Sequence, residues 1–318
     1  MDVRAKVLAA EKRIRSHIRR TPLEFSPTLS HAGDASVHLK LENVQLSGSF
    51  KLRGAMNKLL SLSDEERSRG VVTASSGNHG AACAYAFQQF GVRGTIYLPE
   101  TASTAKIDAL RLYDVELKLH GRDSVEAERI ARQVAEKENR VFLSPYNDPL
   151  VIGGQGTIGL ELEEQMGKID AVIVPVGGGG LIAGIAGYLK SMNTDITVIG
   201  CQPENSAVMA HSLKAGRILD EESLPTLSDG TAGGIEPGSI TFELCRDLVD
   251  DFVLLSEEEI RAALRFILQN HHLLVEGAGA LSVAAFLQQK KQWKGKNVVL
   301  VLSGSKLSLD ALREVLKD

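Results

Sequence analysis

Short apolar runs alternate with helical segments along most of the chain, and this alternation constrains the fold more than any other feature. Runs of strand length lie at 70–76, 94–99, 115–120, 140–146, 170–176, 196–203, 251–256 and 297–303. The segments between them have the apolar spacing of helices, as at 80–90, 101–113, 124–139 and 257–273. Strands joined by helices form parallel sheets, because parallel neighbours need long crossovers. The sequence therefore predicts an α/β fold with two open, mostly parallel sheets flanked by helices.

The length of the chain predicts two lobes. A chain of 318 residues is longer than one hydrophobic core usually supports. The first four predicted strands assign a small domain to residues 67–147, and the large domain comprises residues 1–66 and 148–318. The polar segment 61–70, which ends in glycine, is the candidate crossing between the lobes.

Composition excludes several classes of partner. The net charge is -4, which gives no electrostatic reason to expect nucleic acid or an anionic membrane. No apolar segment approaches the roughly 20 residues that span a bilayer. Cys83, Cys201 and Cys245 are far apart and form no CxxC pair. This pattern predicts reduced thiols in a cytoplasmic protein rather than a disulfide framework or a zinc site.

The segment SGSFKLRGA places a lysine where a solvated surface residue is not expected. Lys51 directly follows Phe50, and small residues precede both. An amine in partly apolar surroundings has a lowered pKa and can form a Schiff base with an aldehyde cofactor. The alternative is an ordinary exposed lysine.

Four consecutive glycines follow the strand predicted at 170–176. Gly177 to Gly180 allow the backbone to wrap a phosphate, and the helix that begins near Leu181 directs its dipole at the anion. The segment is not a Rossmann fingerprint, because the third glycine would fall at Ile182, and it lacks the Lys-Ser/Thr pair of a P-loop. A tight turn without a ligand is the alternative.

Two further segments bring polar groups to the ends of predicted strands. ASSGNHGAA (74–82) begins a helix with hydroxyls and free N–H groups, an arrangement that receives an anion such as a carboxylate, or is an ordinary helix cap. VVLVLSGSK ends a strand at Ser303, at the edge where α/β folds bind ligands. A serine that merely begins a loop is the alternative there.

Together these segments resemble the fold-type II pyridoxal-phosphate enzymes, which have a tryptophan synthase β-like fold. Within them the chain resembles the threonine/serine dehydratase and serine racemase group. The similarity covers almost the whole chain and includes RRTPLEFSPTLS, LKLENVQLSGSFKLRGA, SSGNHG, the glycine loop, EGAGA and the terminal LSG. It implies pyridoxal 5'-phosphate as cofactor, an amino acid as substrate, a homodimer and a cytoplasmic location.

The resemblance also implies roles for individual residues. Lys51 would carry the cofactor as a Schiff base and then remove the substrate's α-proton, while Ser76 could donate a proton on the opposite face. The implied cofactor contacts are the ring of Phe50, Asn78 at the 3-hydroxyl, Gly177, Gly178, Gly179, Gly180 and Leu181 at the phosphate, and Ser303 at the pyridine nitrogen. The substrate carboxylate would be received by Ser75, Ser76, Gly77 and His79.

The implied reaction is dehydration of a β-hydroxy-α-amino acid, such as L-threonine or L-serine, to a 2-oxo acid and ammonia. An amino-acid racemase using Lys51 and Ser76 is the nearest alternative. A non-catalytic ligand-binding relative and a β-replacement enzyme are the others.

Departures from the family pattern bear on the substrate and on cations. SGSK, with Ser305 and Lys306, stands where the family usually has SGGN, and segment 228–239 has two glycines where some relatives have a lysine. Extra space there would admit a bulkier substrate, such as a 3-hydroxyaspartate, a phenylserine or an intermediate of hydroxyectoine breakdown. Gln202 and Val208 occupy the positions of the acidic pair that binds a cation in some relatives, so no metal is expected.

Overall fold

The structure is a computed structural model that describes residues 1–317. Within this range the strands are β1 (Leu23–Phe25), β2 (Ser36–Leu41), β3 (Val71–Ala74), β4 (Gly94–Leu98), β5 (Glu116–Leu119), β6 (Val141–Phe142), β7 (Ala171–Pro175), β8 (Thr197–Pro203), β9 (Asp251–Leu255) and β10 (Asn297–Leu302).

The strands form two sheets. The order is β1-β2-β10-β7-β8-β9 in the larger sheet and β5-β4-β3-β6 in the smaller one. All neighbours are parallel except β1 and β2, which pair antiparallel. The predicted α/β class with two mostly parallel sheets is therefore confirmed.

Helices flank both sheets, as predicted. They are α1 (Val3–Ile14), α2 (Pro27–Gly33), α3 (Lys51–Leu60), α4 (Asp64–Arg69), α5 (Asn78–Phe90), α6 (Thr104–Arg111), α7 (Ser124–Lys137), α8 (Pro149–Gln165), α9 (Gly180–Met192), α10 (Val208–Ala215), α11 (Ile240–Leu248), α12 (Glu257–His271), α13 (Gly277–Gln288) and α14 (Leu309–Leu316).

Local chemistry explains where the elements differ from the predicted ranges. The strand predicted at 140–146 is only two residues long, Val141–Phe142. The helix predicted at 101–113 begins at Thr104, where the hydroxyl of Ser103 accepts a hydrogen bond from the backbone of Lys106. Segment 61–70 contains α4, whose first turn has a capping box between Ser63 and Glu66.

Alternate residues of the central strands pack on opposite faces of the larger sheet. In β10, Val299 and Val301 belong to one hydrophobic cluster, whereas Val298, Leu300 and Leu302 belong to another. All five side chains are buried. Burial on both faces is typical of a parallel sheet covered by helices.

The strands of the smaller sheet all lie within the small domain predicted at 67–147, and they share separate hydrophobic clusters with α5 and α7. The strands of the larger sheet come from both parts of the predicted large domain. The exact domain boundaries stay a prediction.

A buried ionic cluster fixes helix α3. The guanidinium of Arg53, two residues after Lys51, donates to both oxygens of Glu42 and of Glu161, at distances from 2.7 to 2.9 Å. The amine of Lys40 also donates to Glu161, at 2.6 Å. The side chains of these four residues are fully buried. The cluster ties α3 to β2 and α8.

The segment before α3 is joined to the end of β10. Strands β2 and β10 pair along their whole length, from Ser36 with Asn297 to Leu41 with Leu302. Beyond this pairing, Ser49 forms an isolated bridge with Gly304. These contacts place the start of α3 beside the carboxyl end of β10.

No helix within residues 1–317 is both long and apolar enough to traverse a lipid bilayer. The three cysteines are buried and form no disulfide. In the same range, no three His, Cys, Asp or Glu side chains are grouped so that they could hold a metal ion.

Candidate active site

One cavity lies at the carboxyl ends of β7 and β10 and brings the separate sequence segments together. Its empty volume, with its open mouth, is about 470 Å³. Its walls include every residue predicted to hold the cofactor: Phe50, Lys51, Asn78, Gly177, Gly178, Gly179, Gly180, Leu181 and Ser303. The segments are far apart in the chain and meet only in the folded molecule.

Lys51 is the first residue of α3, and its amine faces this cavity. The preceding Phe50 is held by its backbone N–H, which donates to the carbonyl of Ser303 at 3.1 Å. The Lys51 amine donates to the carbonyl of Pro145 at 2.9 Å and lies 5.1 Å from the centre of the Phe50 ring. Burial lowers the pKa of Lys51 to about 8. About a tenth of the amine is therefore neutral at pH 7, far more than for an ordinary lysine, and able to act as a nucleophile or base.

The glycine loop connects β7 to α9 and exposes backbone N–H groups. Gly179 has φ of +86°, a left-handed conformation that favours glycine. A Cβ on Gly178 would overlap the ring of Tyr146, and the carbonyl of Gly178 accepts a hydrogen bond from the hydroxyl of Thr241 at 2.6 Å. No side chain caps the start of α9. The free N–H groups and the helix dipole together form an anion site.

Asn78 begins α5 and contacts Glu276, the residue that precedes α13. Its Nδ2 lies 2.6 Å from Oε1 of Glu276, while its Oδ1 is buried without a hydrogen-bond partner. The protein therefore leaves part of the hydrogen-bonding capacity of this amide unused on the cavity wall.

The other residues of the SSGNHG segment do not line the cavity. Ser75, Ser76 and Gly77 precede Asn78 and are partly exposed, and the Ser75 hydroxyl accepts a hydrogen bond from the backbone of Gly77. The predicted role of Ser76 as a proton donor stays a prediction. The first turn of α5 leaves backbone N–H groups free to receive an anion.

The side chain of His79 does not line the cavity, and its predicted part in binding the substrate carboxylate stays a prediction. Its Nε2 lies 3.0 Å from the hydroxyl of Thr73 and 3.1 Å from the carbonyl of Leu143, inside the smaller lobe. Burial, aided by the positive charge of Lys51, lowers its pKa to about 3. The imidazole is neutral and away from the cavity, so only the backbone of His79 is available to a substrate carboxylate.

Glu276 and Ser303 provide further polar groups on the cavity wall. Ser303 is buried at the end of β10, where the sequence predicted a hydroxyl. Glu276 is 3% exposed. Burial, together with the nearby Asp229 carboxylate, raises the pKa of Glu276 to about 7.

Sequence reasoning missed Tyr146, Gly230 and Thr231, which also line the cavity. The hydroxyl of Tyr146 accepts a hydrogen bond from the backbone of Glu236 at 2.9 Å, and burial raises its pKa to about 12. The position of Tyr146 at the end of a predicted strand was the one available signal.

Segment 228–239 contributes Gly230 and Thr231 to the cavity wall, whereas its two consecutive glycines were expected there. Gly233 and Gly234 are exposed and do not line the cavity, and a Cβ on either would meet no atom within 4 Å. The extra space expected from these glycines is therefore outside the cavity and does not favour a bulkier substrate.

The site fits the cofactor that the resemblance implies. A phosphate suits the free N–H groups at the start of α9, and an aldehyde suits the Lys51 amine, which is largely desolvated. The unpartnered Oδ1 of Asn78 shows that this amide is not satisfied by the protein alone. These three features surround one cavity.

Gly178→Ala tests the loop. Because the new methyl group would overlap Tyr146, we expect the loop to shift and the dissociation constant of pyridoxal phosphate to rise by about tenfold or more. Equilibrium titration of the cofactor-free protein measures this. Gly234→Ala is the matched control, since its methyl group meets open space. Equal affinities in the two variants would contradict the assignment of the loop.

Comparison with known proteins finds similar proteins that are named for their action on L-threonine. The L-threonine ammonia-lyase of Thermotoga maritima is 45% identical over 307 residues, which cover 96% of this chain and 76% of that protein. The catabolic L-threonine dehydratase TdcB of Escherichia coli is 41% identical, with 97% and 94% covered.

Solved structures of other proteins have the same fold as this chain. The processed form of threonine deaminase isoform 2 from Solanum lycopersicum has a TM-score of 0.94 at 34% identity, covering 98% of this chain and 87% of that one. Maize serine racemase has a TM-score of 0.92 at 33% identity, with 98% and 95% covered. A family described as "Pyridoxal-phosphate dependent enzyme" matches residues 14–304. With the cavity, its lysine and its glycine loop, this match shows that the chain belongs to the pyridoxal-phosphate dependent enzyme family.

Proposed function

We propose that this protein is an ammonia-lyase that dehydrates L-threonine and L-serine to 2-oxo acids. The observation that carries the proposal is the Lys51 amine, which is desolvated in the same cavity as the glycine-rich start of α9. The relatives at 41–45% identity are named as L-threonine ammonia-lyase and L-threonine dehydratase, which supports this substrate class.

The cofactor supplies an electron sink that makes the substrate's α-proton acidic. The chain supplies the groups that hold and deprotonate the substrate. We assign Lys51 as the covalent anchor of the cofactor and as the base at the α-carbon, because its lowered pKa leaves part of the amine neutral. Its hydrogen bond to the carbonyl of Pro145 orients the amine toward the cavity.

The remaining roles are supported by the residues that line the cavity. We assign the phosphate to the backbone of Gly177 to Leu181, the ring hydroxyl to Asn78 and the ring nitrogen to Ser303. The uncharged hydroxyl of Ser303 would leave this nitrogen unprotonated. The ring of Phe50 would lie beside the cofactor.

The substrate carboxylate is assigned to the start of α5. This part of the proposal is supported by the positive end of the helix dipole at the N-terminus of α5, where Ser75, Ser76, Gly77 and His79 occur in the chain. The β-hydroxyl leaves as water, and hydrolysis of the resulting enamine releases ammonia. For L-threonine the products are 2-oxobutanoate and ammonia in equal amounts.

The purified holoenzyme is tested on a panel of β-hydroxy amino acids. We expect L-threonine and L-serine to release 2-oxo acid and ammonia in a 1:1 ratio, and to react faster than 3-hydroxyaspartate or phenylserine. Coupled reduction of the 2-oxo acid and direct ammonia determination provide the two readings. Release of neither product from any substrate would contradict the proposal.

Racemisation is the second candidate, because maize serine racemase shares the fold at 33% identity. The two activities are separated by following L-serine by chiral chromatography. Formation of D-serine without ammonia would assign the protein as a racemase. A non-catalytic relative would bind the cofactor or an amino acid and yield neither product.

We also propose that the protein is a cytoplasmic homodimer with a small domain at residues 67–147. The resemblance to the dehydratase group supports the dimer, and the three buried unpaired cysteines agree with a reducing compartment. Light scattering during gel filtration measures the oligomeric state.

A further inference from the structure

Glu276 and Asn78 form a side-chain hydrogen bond that can be read with either partner as donor. Oε1 of Glu276 lies 2.6 Å from Nδ2 of Asn78. The oxygen and nitrogen of an asparagine amide exchange places when the amide makes a half-turn. This half-turn would place the amide oxygen against Glu276, where a protonated carboxyl donates to it.

The two orientations of the amide differ in what remains unsatisfied. When Nδ2 donates to a Glu276 carboxylate, Oδ1 is left buried without a partner. When protonated Glu276 donates to Oδ1, the buried oxygen is satisfied and both N–H groups of Asn78 become free. The second arrangement leaves no buried oxygen of Asn78 unpaired and presents donors to an anionic ligand.

The charges around Glu276 favour its neutral form. Within residues 1–317 no Lys, Arg or His nitrogen lies within 4.0 Å of its carboxyl group, whose other oxygen accepts only the backbone N–H of Lys306, at 3.1 Å. The Asp229 carboxylate faces it from segment 228–239, while the amines of Lys306 and Lys51 provide weaker opposing charge. Burial and Asp229 raise its pKa to about 7.

We propose that Glu276 is a positioning residue that donates a hydrogen bond from its carboxylic acid to Oδ1 of Asn78 and so directs the amide NH₂ group at the ring hydroxyl oxygen of the cofactor. This inference rests on the proposed function, because it takes Asn78 as the partner of that oxygen. Glu276 acts through Asn78 and does not itself contact the reacting atoms.

The sign of the pH effect follows from this assignment. Below pH 7 Glu276 holds its proton and the amide offers donors to the ring. As pH rises through 7 the carboxylate accepts a hydrogen bond from Nδ2 instead, and binding of the ring weakens. Glutamine at position 276 has an amide that donates to Oδ1 at every pH, so Glu276→Gln removes this dependence.

The test uses cofactor-free protein and 4'-deoxypyridoxine 5'-phosphate, a probe with the ring hydroxyl and the phosphate but no aldehyde. It cannot react with Lys51, so its binding reports only the non-covalent contacts. Between pH 6.0 and 8.5 we expect the ratio of the wild-type dissociation constant to that of Glu276→Gln to rise about tenfold. Because both proteins bind the same probe at each pH, the effect of the probe's own ionisation on the two dissociation constants cancels in their ratio.

Three comparisons complete the experiment. Glu276→Ala should bind the probe weakly at both pH values, whereas Glu276→Gln restores tight binding. In an Asn78→Ala background, Glu276→Gln should have no effect. A probe that also lacks the ring hydroxyl should bind wild type and Glu276→Gln with the same pH dependence. Thermal melting confirms that each variant is folded.

A constant ratio between wild type and Glu276→Gln would overturn the role of Glu276 while leaving the proposed function intact. An effect of Glu276→Gln that persists without Asn78 would also overturn it. No binding of the probe to wild type at either pH would overturn the proposed function, and this inference with it.

Discussion

Lys51→Ala is expected to lower the rate of 2-oxo acid release from L-threonine by about 10³-fold or more. The variant loses both the amine that anchors the cofactor and the base at the α-carbon. Because the Lys51 side chain donates only to the carbonyl of Pro145, its removal does not break an ion pair within residues 1–317. We therefore expect the variant to fold.

Two spectroscopic readings separate loss of the anchor from loss of the fold. Wild-type holoenzyme should absorb at about 410–420 nm, and borohydride should fix the cofactor on the peptide that contains Lys51. Lys51→Ala should show neither. Lys294→Ala, at an exposed lysine paired with Asp34, is the control and should behave as wild type. Labelling of any lysine other than Lys51 in wild type would contradict the assignment.

Glu161→Ala is expected to lower the free energy of unfolding by about 3–5 kcal/mol. Glu161 accepts hydrogen bonds from Arg53 and Lys40, and all three side chains are fully buried. Without Glu161 these two cations stay buried with too little negative charge around them. Denaturant titration at constant pH measures the loss.

Glu164→Ala provides a matched control on the same helix. Glu164 pairs with Arg20 at the surface, where both side chains are about half exposed, so its loss should cost less than about 1 kcal/mol. Equal destabilisation by the two variants would show that the buried cluster has no special role.

The contribution of Glu161 should also depend on pH. Burial alone would raise its pKa, but Arg53 and Lys40 outweigh burial and lower the pKa from 4.5 to about 2. A carboxyl with a lowered pKa stabilises the fold fully above its unfolded value, and this contribution is lost as pH falls toward the folded value. The difference between wild type and Glu161→Ala should therefore shrink between pH 4.5 and 2.

The parts of the site that were predictable are those in which local sequence dictates local structure. Four glycines after a buried strand have few uses other than a backbone anion site, and the structure places them at the start of α9. Lys51 was recognisable from its apolar and small neighbours. The same holds for most strands of the two sheets, because β3, β4 and β6 to β10 are short, mainly apolar runs between helices.

The missed features depend on contacts between distant residues. The position of Tyr146 against Gly178 and the contact of Glu276 with Asn78 exist only after the chain folds. The orientation of the His79 ring likewise depends on contacts with Thr73 and Leu143 that exist only in the folded chain. Strand β1, with three residues, is too short to show an alternating pattern.

The joining of Ser49 and Phe50 to Gly304 and Ser303 has a consequence for biosynthesis. Lys51 is translated well before β10, the strand that positions it. The smaller lobe can begin to fold during translation, since its strands are close in sequence. A nascent chain that stops before residue 297 lacks β10 altogether, so the pocket around Lys51 can be completed only after β10 has been translated.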